Sequence, residues 1–454
     1  MPAEIESVVD HTWSTPMRRN KGELKGVREI TRREDFQVPS VVRLRTATPN
    51  YADPERREDP NIKFDLSEGV QPFGLPQFLV EKVKPAMFEG DKWEQAIGKY
   101  AGVNLSEAFE FQYKWHGVDR SYAHVAYGNR GSYGGIMDLF LAGTFIAPNQ
   151  GTIKILDTNI DFPAAYKVSR RYDKEISPYN RMPFYPLKID LNDSQDVVLE
   201  KAIDRVKKEG KRNKKGFVVV YTDPNSPKGN SSTDPSRVEE LAYQSNRFGY
   251  PIIIDQVFKD NVHPWESFAY LTHDLPYVIV VDSPSKIWGM PGARVGTLIM
   301  SKELKEPYEG TRAEHEFSGL TALLAKETFK FEHENEIREW IKHVSEMNET
   351  FKRPFVAGLR DMGITVCDTN MKVPVSFVIS KNENFVRDLY AKGIKVARGG
   401  GFNATYATDV SQALGTAVNR GVLTGNSARM STWGNYADLP EILDICREVE
   451  SKAA

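Results

Sequence analysis

Only two cysteines, Cys367 and Cys446, occur in 454 residues, too few for a disulfide framework or a thiolate zinc site. The eight histidines never fall in a metal-ligand spacing such as H-E-x-x-H, and no metal site is predicted. No apolar stretch approaches the roughly 18 uninterrupted residues of a membrane-crossing helix. A dominant charge is missing as well. Sixty Lys+Arg against 62 Asp+Glu leave a formal net charge of −2, so the whole chain is not a polyanion binder. The N-terminus, MPAEIESVVDHTW, carries two Glu and an Asp where a secretory signal would carry Lys/Arg and an apolar stretch. A cytoplasmic protein without membrane or nucleic-acid partners is the expectation. What remains is an ordinary globular balance, 40% apolar, 11% aromatic and 27% charged, over a length suited to two or three domains.

Residues 1–60 differ from the rest. Between Arg18 and Arg57 lie eleven Lys/Arg and six Asp/Glu, with Pro39, Pro49 and Pro54 among them. Basic arms that bind nucleic acid usually lack such interleaved acid, so this segment reads as an arm lying across the body or a neighbouring subunit. A second basic cluster, Lys207, Lys208, Lys211, Arg212, Lys214 and Lys215, reads as an exposed loop between a helix and a strand. From about residue 120, short β-branched runs at 153–158, 216–222, 251–258 and 277–283 alternate with helical periods, notably 196–209 and 235–248. Strands buried on both faces and separated by helices indicate an α/β fold with a mostly parallel central sheet flanked by helices. Beyond residue 310 the strands thin out. Amphipathic helices fill 313–360, a weaker strand lies near 373–379, and a helix closes the chain at 439–452. The predicted organisation is an arm (1–60), a large domain (76–325), and a smaller α+β domain made from both chain ends (61–75 and 326–454).

The chemistry concentrates in 223–296. Asp255 ends the strand IIIDQVF, and strand ends are where open parallel sheets bind ligands. Ser283-Pro284-Ser285-Lys286 follows the next strand, and Gly292-Ala293-Arg294-Val295-Gly296 leads into another. Taken singly, a lysine after a strand faces solvent and a lone arginine makes a surface ion pair. Together they supply a pyridinium partner, a Schiff-base amine and a phosphate anchor, the inventory that pyridoxal 5′-phosphate (PLP) requires.

In these segments, and in DPNSPKG (223–229), the sequence resembles the fold-type I PLP-dependent transferases, specifically the class I/II aminotransferase family. The resemblance runs from about Lys63 to the end. It implies that Lys286 carries the cofactor, that Asp255 pairs with the pyridine nitrogen, and that Ser283 and Arg294 bind the phosphate. It places Gly131, Ser132 and Tyr133, in YGNRGSYGGI, at a phosphate-binding helix start. A dinucleotide loop is the competing reading there, but no strand is predicted to end directly before it. Phe162 falls where an aromatic residue stacks on the pyridine ring; a core phenylalanine under the sheet is the alternative. Gly69 matches a glycine lying over the substrate, and Tyr100 a tyrosine that a partner subunit sends to the cofactor phosphate. Arg429, in GNSARMSTW, matches the arginine that grips the substrate α-carboxylate; a surface arginine on an edge strand competes, and Arg398 is the next candidate. A homodimer with shared active sites and a small-molecule amino acid substrate follow from the same resemblance.

The sequence departs from the family pattern at three places. Phe258 stands where the family has a tyrosine, removing a phenol that would hydrogen-bond the cofactor 3′-oxygen. Ser226 replaces an asparagine that contacts the same oxygen, unless Asn225 does so. The N-terminal arm and the 105–125 segment are longer than a minimal aminotransferase needs. Aminotransfer at the Cα of an amino acid is the leading expectation. A PLP-dependent lyase, cyclase or γ-replacement enzyme, acting on an S-adenosylmethionine-like substrate, is the alternative, because fold alone does not choose the reaction.

Overall fold

The computed structural model describes residues 60–453 apart from 70, 72, 99–102, 129–153, 158–183, 188–192, 213–216, 263–266, 310–317 and 400–422. Two sheets organise it. The larger has seven strands in the order β2-β8-β7-β6-β5-β3-β4. These are β2 (Ala123–Gly128), β3 (Lys154–Asp157), β4 (Phe184–Pro186), β5 (Phe217–Thr222), β6 (Ile252–Asp255), β7 (Val278–Asp282) and β8 (Gly296–Ser301). Strands β3 to β7 run parallel, and β8 is antiparallel to both β7 and β2. Every residue of β5 to β8 is buried, as continuous Val/Ile runs covered on both faces require.

Helices α1 (Lys92–Gly98) and α2 (Ser106–Trp115) precede this sheet, and α3 (Gln195–Lys211) and α4 (Pro235–Arg247) connect its strands. Each connecting helix begins on a side-chain cap: Ser194 Oγ accepts from Val197 N, and Asp234 accepts from Ser236 N ahead of Pro235. Helix α3 runs through Lys207, Lys208 and Lys211, so the basic cluster starts on the last helical turns and not in a loop. Lys207 pairs there with Glu240 of α4 at 2.8 Å.

The second sheet has five strands, β1-β11-β12-β10-β9. They are β1 (Phe64–Leu66), β9 (Thr365–Val366), β10 (Val375–Ile379), β11 (Ile394–Arg398) and β12 (Ser427–Ser431). The strands therefore do not thin out after residue 310: four of the twelve described strands lie there. Helices α5 (Gly319–Thr328), α6 (Glu334–Asp361), α7 (Phe385–Ala391) and α8 (Leu439–Glu450) complete this part. In α6 the buried set Ile337, Ile341, Val344, Asn348, Phe351, Lys352, Phe355 and Leu359 keeps helical spacing, one apolar stripe against the core. No helix among the described residues is long and apolar enough to cross a membrane.

Polar contacts join the two sheets beside the carboxyl end of β5. Asn370 N and Thr369 Oγ1 both donate to Gly229 O, at 2.8 and 3.2 Å. Gly229 has φ +77°, and a Cβ there would stand 1.9 Å from Val375 O. Only glycine allows that approach.

Candidate active site

The parallel register sets Thr222, Asp255 and Val281 side by side at the carboxyl ends of β5, β6 and β7. Asp255 is buried, with Oδ1 accepting from Val257 N at 3.1 Å. Burial pushes its carboxyl up to about 6; the Val257 N–H and the Lys286 charge oppose the rise and nearby Asp282 adds to it.

The turn after β7 carries Lys286. Ser283 Oγ donates to Val295 O at 2.7 Å and lies 2.7 Å from Ser285 Oγ, while Ser285 N donates to Ser283 Oγ at 3.2 Å. This web fixes the start of the turn against the segment before β8. Lys286 Nζ lies 5.6 Å from the centroid of the Phe258 ring. Its amine is pushed down to about 8, first by burial and then by the charge of Arg429, with Arg294 adding and Asp255 and Glu68 opposing. Arg294 is exposed, has φ 55°, and donates from Nη1 to Pro291 O at 3.1 Å.

Arg429 is central, not marginal. Its strand β12 lies between β11 and β10, opposite Ala397 on one side and Phe377 on the other, and the residue is 1% exposed. That overturns the edge-strand reading. Its guanidinium donates to Ser226 Oγ at 3.4 Å and to Ser67 O. Arg398, one strand over on β11, is exposed. Asn225 is fully buried, with Oδ1 accepting from Lys228 N at 3.1 Å, and its neighbour Ser226 meets Arg429. Gly69 sits over Phe258: a Cβ there would lie 3.2 Å from Phe258 Cζ and 3.3 Å from Val375 Cγ1. Phe258 packs with Val373 and Val375 as a small apolar cluster.

Lys286, Asp255, Phe258, Arg429, Ser226 and Gly69 thus meet where the two sheets adjoin. Tyr100, Gly131, Ser132, Tyr133 and Phe162 lie outside the described residues. Strand β2 ends at Gly128, directly before the 129–136 segment, so the expectation that no strand precedes it was wrong. Sequence reasoning missed Glu68, Ser285 and the buried charges Lys259, Asp260 and Asp282. Glu68 and Ser285 lie inside segments already noted. The signal for Lys259 and Asp260 was a charged pair directly after DQVF.

The aminotransferase class I and II family model matches residues 174–418. The chain belongs to the aminotransferase class I and II family. It is 26% identical over 113 residues to a histidinol-phosphate aminotransferase of Candida maltosa, a match covering 25% of this chain and 29% of that relative's length. In structure it is similar to the histidinol-phosphate aminotransferase of Clostridium acetobutylicum, with TM-score 0.63, 16% identity, and coverage of 86% of this chain and 99% of that one. It is also similar to the Sinorhizobium meliloti enzyme of that name, described in complex with pyridoxal-5′-phosphate, with TM-score 0.63, 15% identity, and coverage of 90% and 97%. At such identities the structural likeness shows the aminotransferase fold, a mixed sheet flanked by helices, and not a substrate.

Proposed function

We propose that the chain is a PLP-dependent aminotransferase acting at the Cα of an amino acid. The observation that carries this is the setting of Lys286: an amine held near 8, beside a buried strand-end carboxylate and a buried arginine. The residues present fit the cofactor. Lys286 would hold it covalently, Asp255 would pair with its ring nitrogen, and Ser283 and Arg294 would take its phosphate together with Gly131, Ser132 and Tyr133. Phe162 would stack on the ring. PLP, when bound, supplies the electron sink that lets a Cα–H bond ionise.

The chain's own residues do the rest. A Lys286 amine near 8 is partly neutral at physiological pH, so Nζ can take and return a proton. Asp255, ionised above about 6, keeps a proton on a nitrogen that faces it. Arg429 offers a planar fork to the substrate carboxylate, which orients the Cα substituents. Phe258 brings no hydroxyl, and Ser226 is the neighbouring hydroxyl that remains. The large domain at 76–325 and the smaller one at 61–75 and 326–454 belong to the same proposal. So does a cytoplasmic homodimer with shared active sites, in which Tyr100 reaches the partner's cofactor phosphate. Exposed Leu75, Val80, Phe88 and Ile97 support an interface along that segment.

The test is to incubate the purified chain with PLP, reduce with borohydride, and map the adduct by peptide mass spectrometry. Amino acids are then supplied one at a time and 2-oxo acids sought. Histidinol phosphate, which has a phosphate and no carboxylate, forms a separate arm. An adduct on Lys286 with a 2-oxo acid product is expected. A chain that stays colourless with added PLP would refute the proposal.

A further inference from the structure

Against the Lys286 turn lies a buried charge cluster to which the proposed reaction assigns no role. Lys259, 1% exposed, extends Nζ to Asp260 Oδ1 and lies 3.5 Å from Asp282 Oδ2. Asp260 Oδ2 accepts from Trp288 Nε1 at 3.2 Å. Asp282 Oδ1 accepts from Ser283 N at 2.7 Å. His116 Nε2 stands 3.6 Å from Asp282 Oδ2, and its Nδ1 is 3.1 Å from Ser267 Oγ. Trp115 closes the group, its ring 5.6 Å from Lys259 Nζ and edge-on to Trp288 at 5.9 Å.

The connectivity matters more than the burial. Ser283 and Trp288 flank Lys286 on either side. Each is hydrogen-bonded to a carboxylate, and the two carboxylates share one ammonium, which sits four positions after Asp255. We propose that Lys259, through Asp260 and Asp282, is a positioning residue that clamps both ends of the Lys286 turn to the segment following Asp255. This rests on the reading of Lys286 as the cofactor lysine.

Charge counting supports a clamp that needs Lys259. Burial, reinforced by Lys259, pushes the His116 imidazole well below its ordinary value, leaving it neutral. Among the described residues, Lys259 is then the only cation in contact with these two buried carboxylates. Burial pushes the Asp282 carboxyl up, and the charge of Lys259 is the main force holding it down. Arg338, which stacks on Trp115 at 5.0 Å, is bonded to Glu334. Lys286 must reach its target with near-atomic accuracy, since a displacement of about 1 Å can lower a rate by roughly a hundredfold.

The test compares wild type, Lys259→Met and Lys259→Met/Asp282→Asn as full-length chains. Without cofactor, Lys259→Met should raise hydrogen exchange over 283–290 by about tenfold or more while β5 is unchanged. With PLP, kcat should fall by about thirtyfold and KM stay within about threefold. The double variant removes one of the two stranded carboxylates and restores the cluster's wild-type net charge, but not the missing bridge. It should regain the wild-type urea midpoint while exchange over 283–290 stays fast and kcat stays low. If exchange and kcat recover together with the midpoint, the cluster is a bulk stabiliser and the inference falls. It falls equally if Lys259→Met leaves both unchanged. Should Lys259→Met fail to fold, the double variant alone decides by the same criterion. A wild type that forms no PLP adduct on Lys286 would sink the functional proposal, yet the cofactor-free exchange comparison would still decide whether the clamp exists.

Discussion

Replacing Lys286, the proposed cofactor lysine, should make the cofactor-free chain more stable. The Lys286 amine is held at about 8 against its ordinary 10.5. At about 1.36 kcal/mol per pH unit, that gap corresponds to roughly 3.4 kcal/mol of unfavourable burial. The side chain is only partly buried, and solvent screening brings the figure to about 1.5–3 kcal/mol. The sign follows from proton binding. Below about 8 the amine is protonated in both folded and unfolded chains, and the full penalty applies. Between about 8 and 10.5 the unfolded chain holds a proton that the folded chain has released, so stability rises with pH; above 10.5 the penalty is gone. Methionine keeps the length of the side chain and removes the charge. Urea titrations of cofactor-free wild type and Lys286→Met should therefore differ by about 1.5–3 kcal/mol at pH 7 in favour of the variant. The difference should shrink steadily towards pH 10.5. A variant that is no more stable at pH 7, or a difference that ignores pH, would refute the idea that Lys286 sits desolvated among like charges.

Lys352→Met should destabilise the chain by about 3–5 kcal/mol, read from the urea midpoint. Its buried Nζ lies 2.6–2.8 Å from Thr369 Oγ1 and from the carbonyl oxygens of Asn370, Val373 and Val375, and methionine would leave those buried oxygens without its N–H donors. Gly229→Ala should cost more than about 3 kcal/mol, combining positive φ with a Cβ in collision with Val375 O; thermal melting checks it. Arg429→Ala should lower kcat/KM at least about a hundredfold, or roughly 2.7 kcal/mol, and Arg429→Lys should recover part of it. A kinetically silent Arg429→Ala would place the carboxylate elsewhere, with Arg398 the next residue to test.

Strands β5, β6 and β7 were legible because a strand covered on both faces can only be written as a β-branched run. The five-stranded sheet was largely illegible for the opposite reason. Strand β12 reads Ser-Ala-Arg-Met-Ser, a polar segment by local pattern, and all five residues are buried. Its arginine is bonded to Ser226 and Ser67, residues hundreds of positions away that no window can include. Strands β1 and β9, of three and two residues, are too short for a period to register. At the site, Asp255, Ser283, Lys286 and Arg294 stood out in the sequence because their types and order suggest PLP chemistry, which remains the proposal made above. Lys259 and Asp260 resembled a solvated pair. Their burial is decided by Asp282, Trp115 and Trp288, which arrive from other elements.

The pairing of β1 with β11 has a consequence for synthesis. Residues 64–66 align with 394–396, and Lys395 is bonded to Asp65 across 330 positions. The seven-stranded sheet draws all its strands from residues 123–301, so it can condense while the chain is still emerging from the ribosome. The five-stranded sheet cannot. Its first strand must wait, unpaired, until residues 394–398 have been made, and such long-range closure is the slow part of folding. Its central strand, which supplies Arg429, comes later still. A nascent chain halted before residue 427 would already possess Lys286 while lacking Arg429, so the pocket proposed above would be completed only after the large sheet has had time to form.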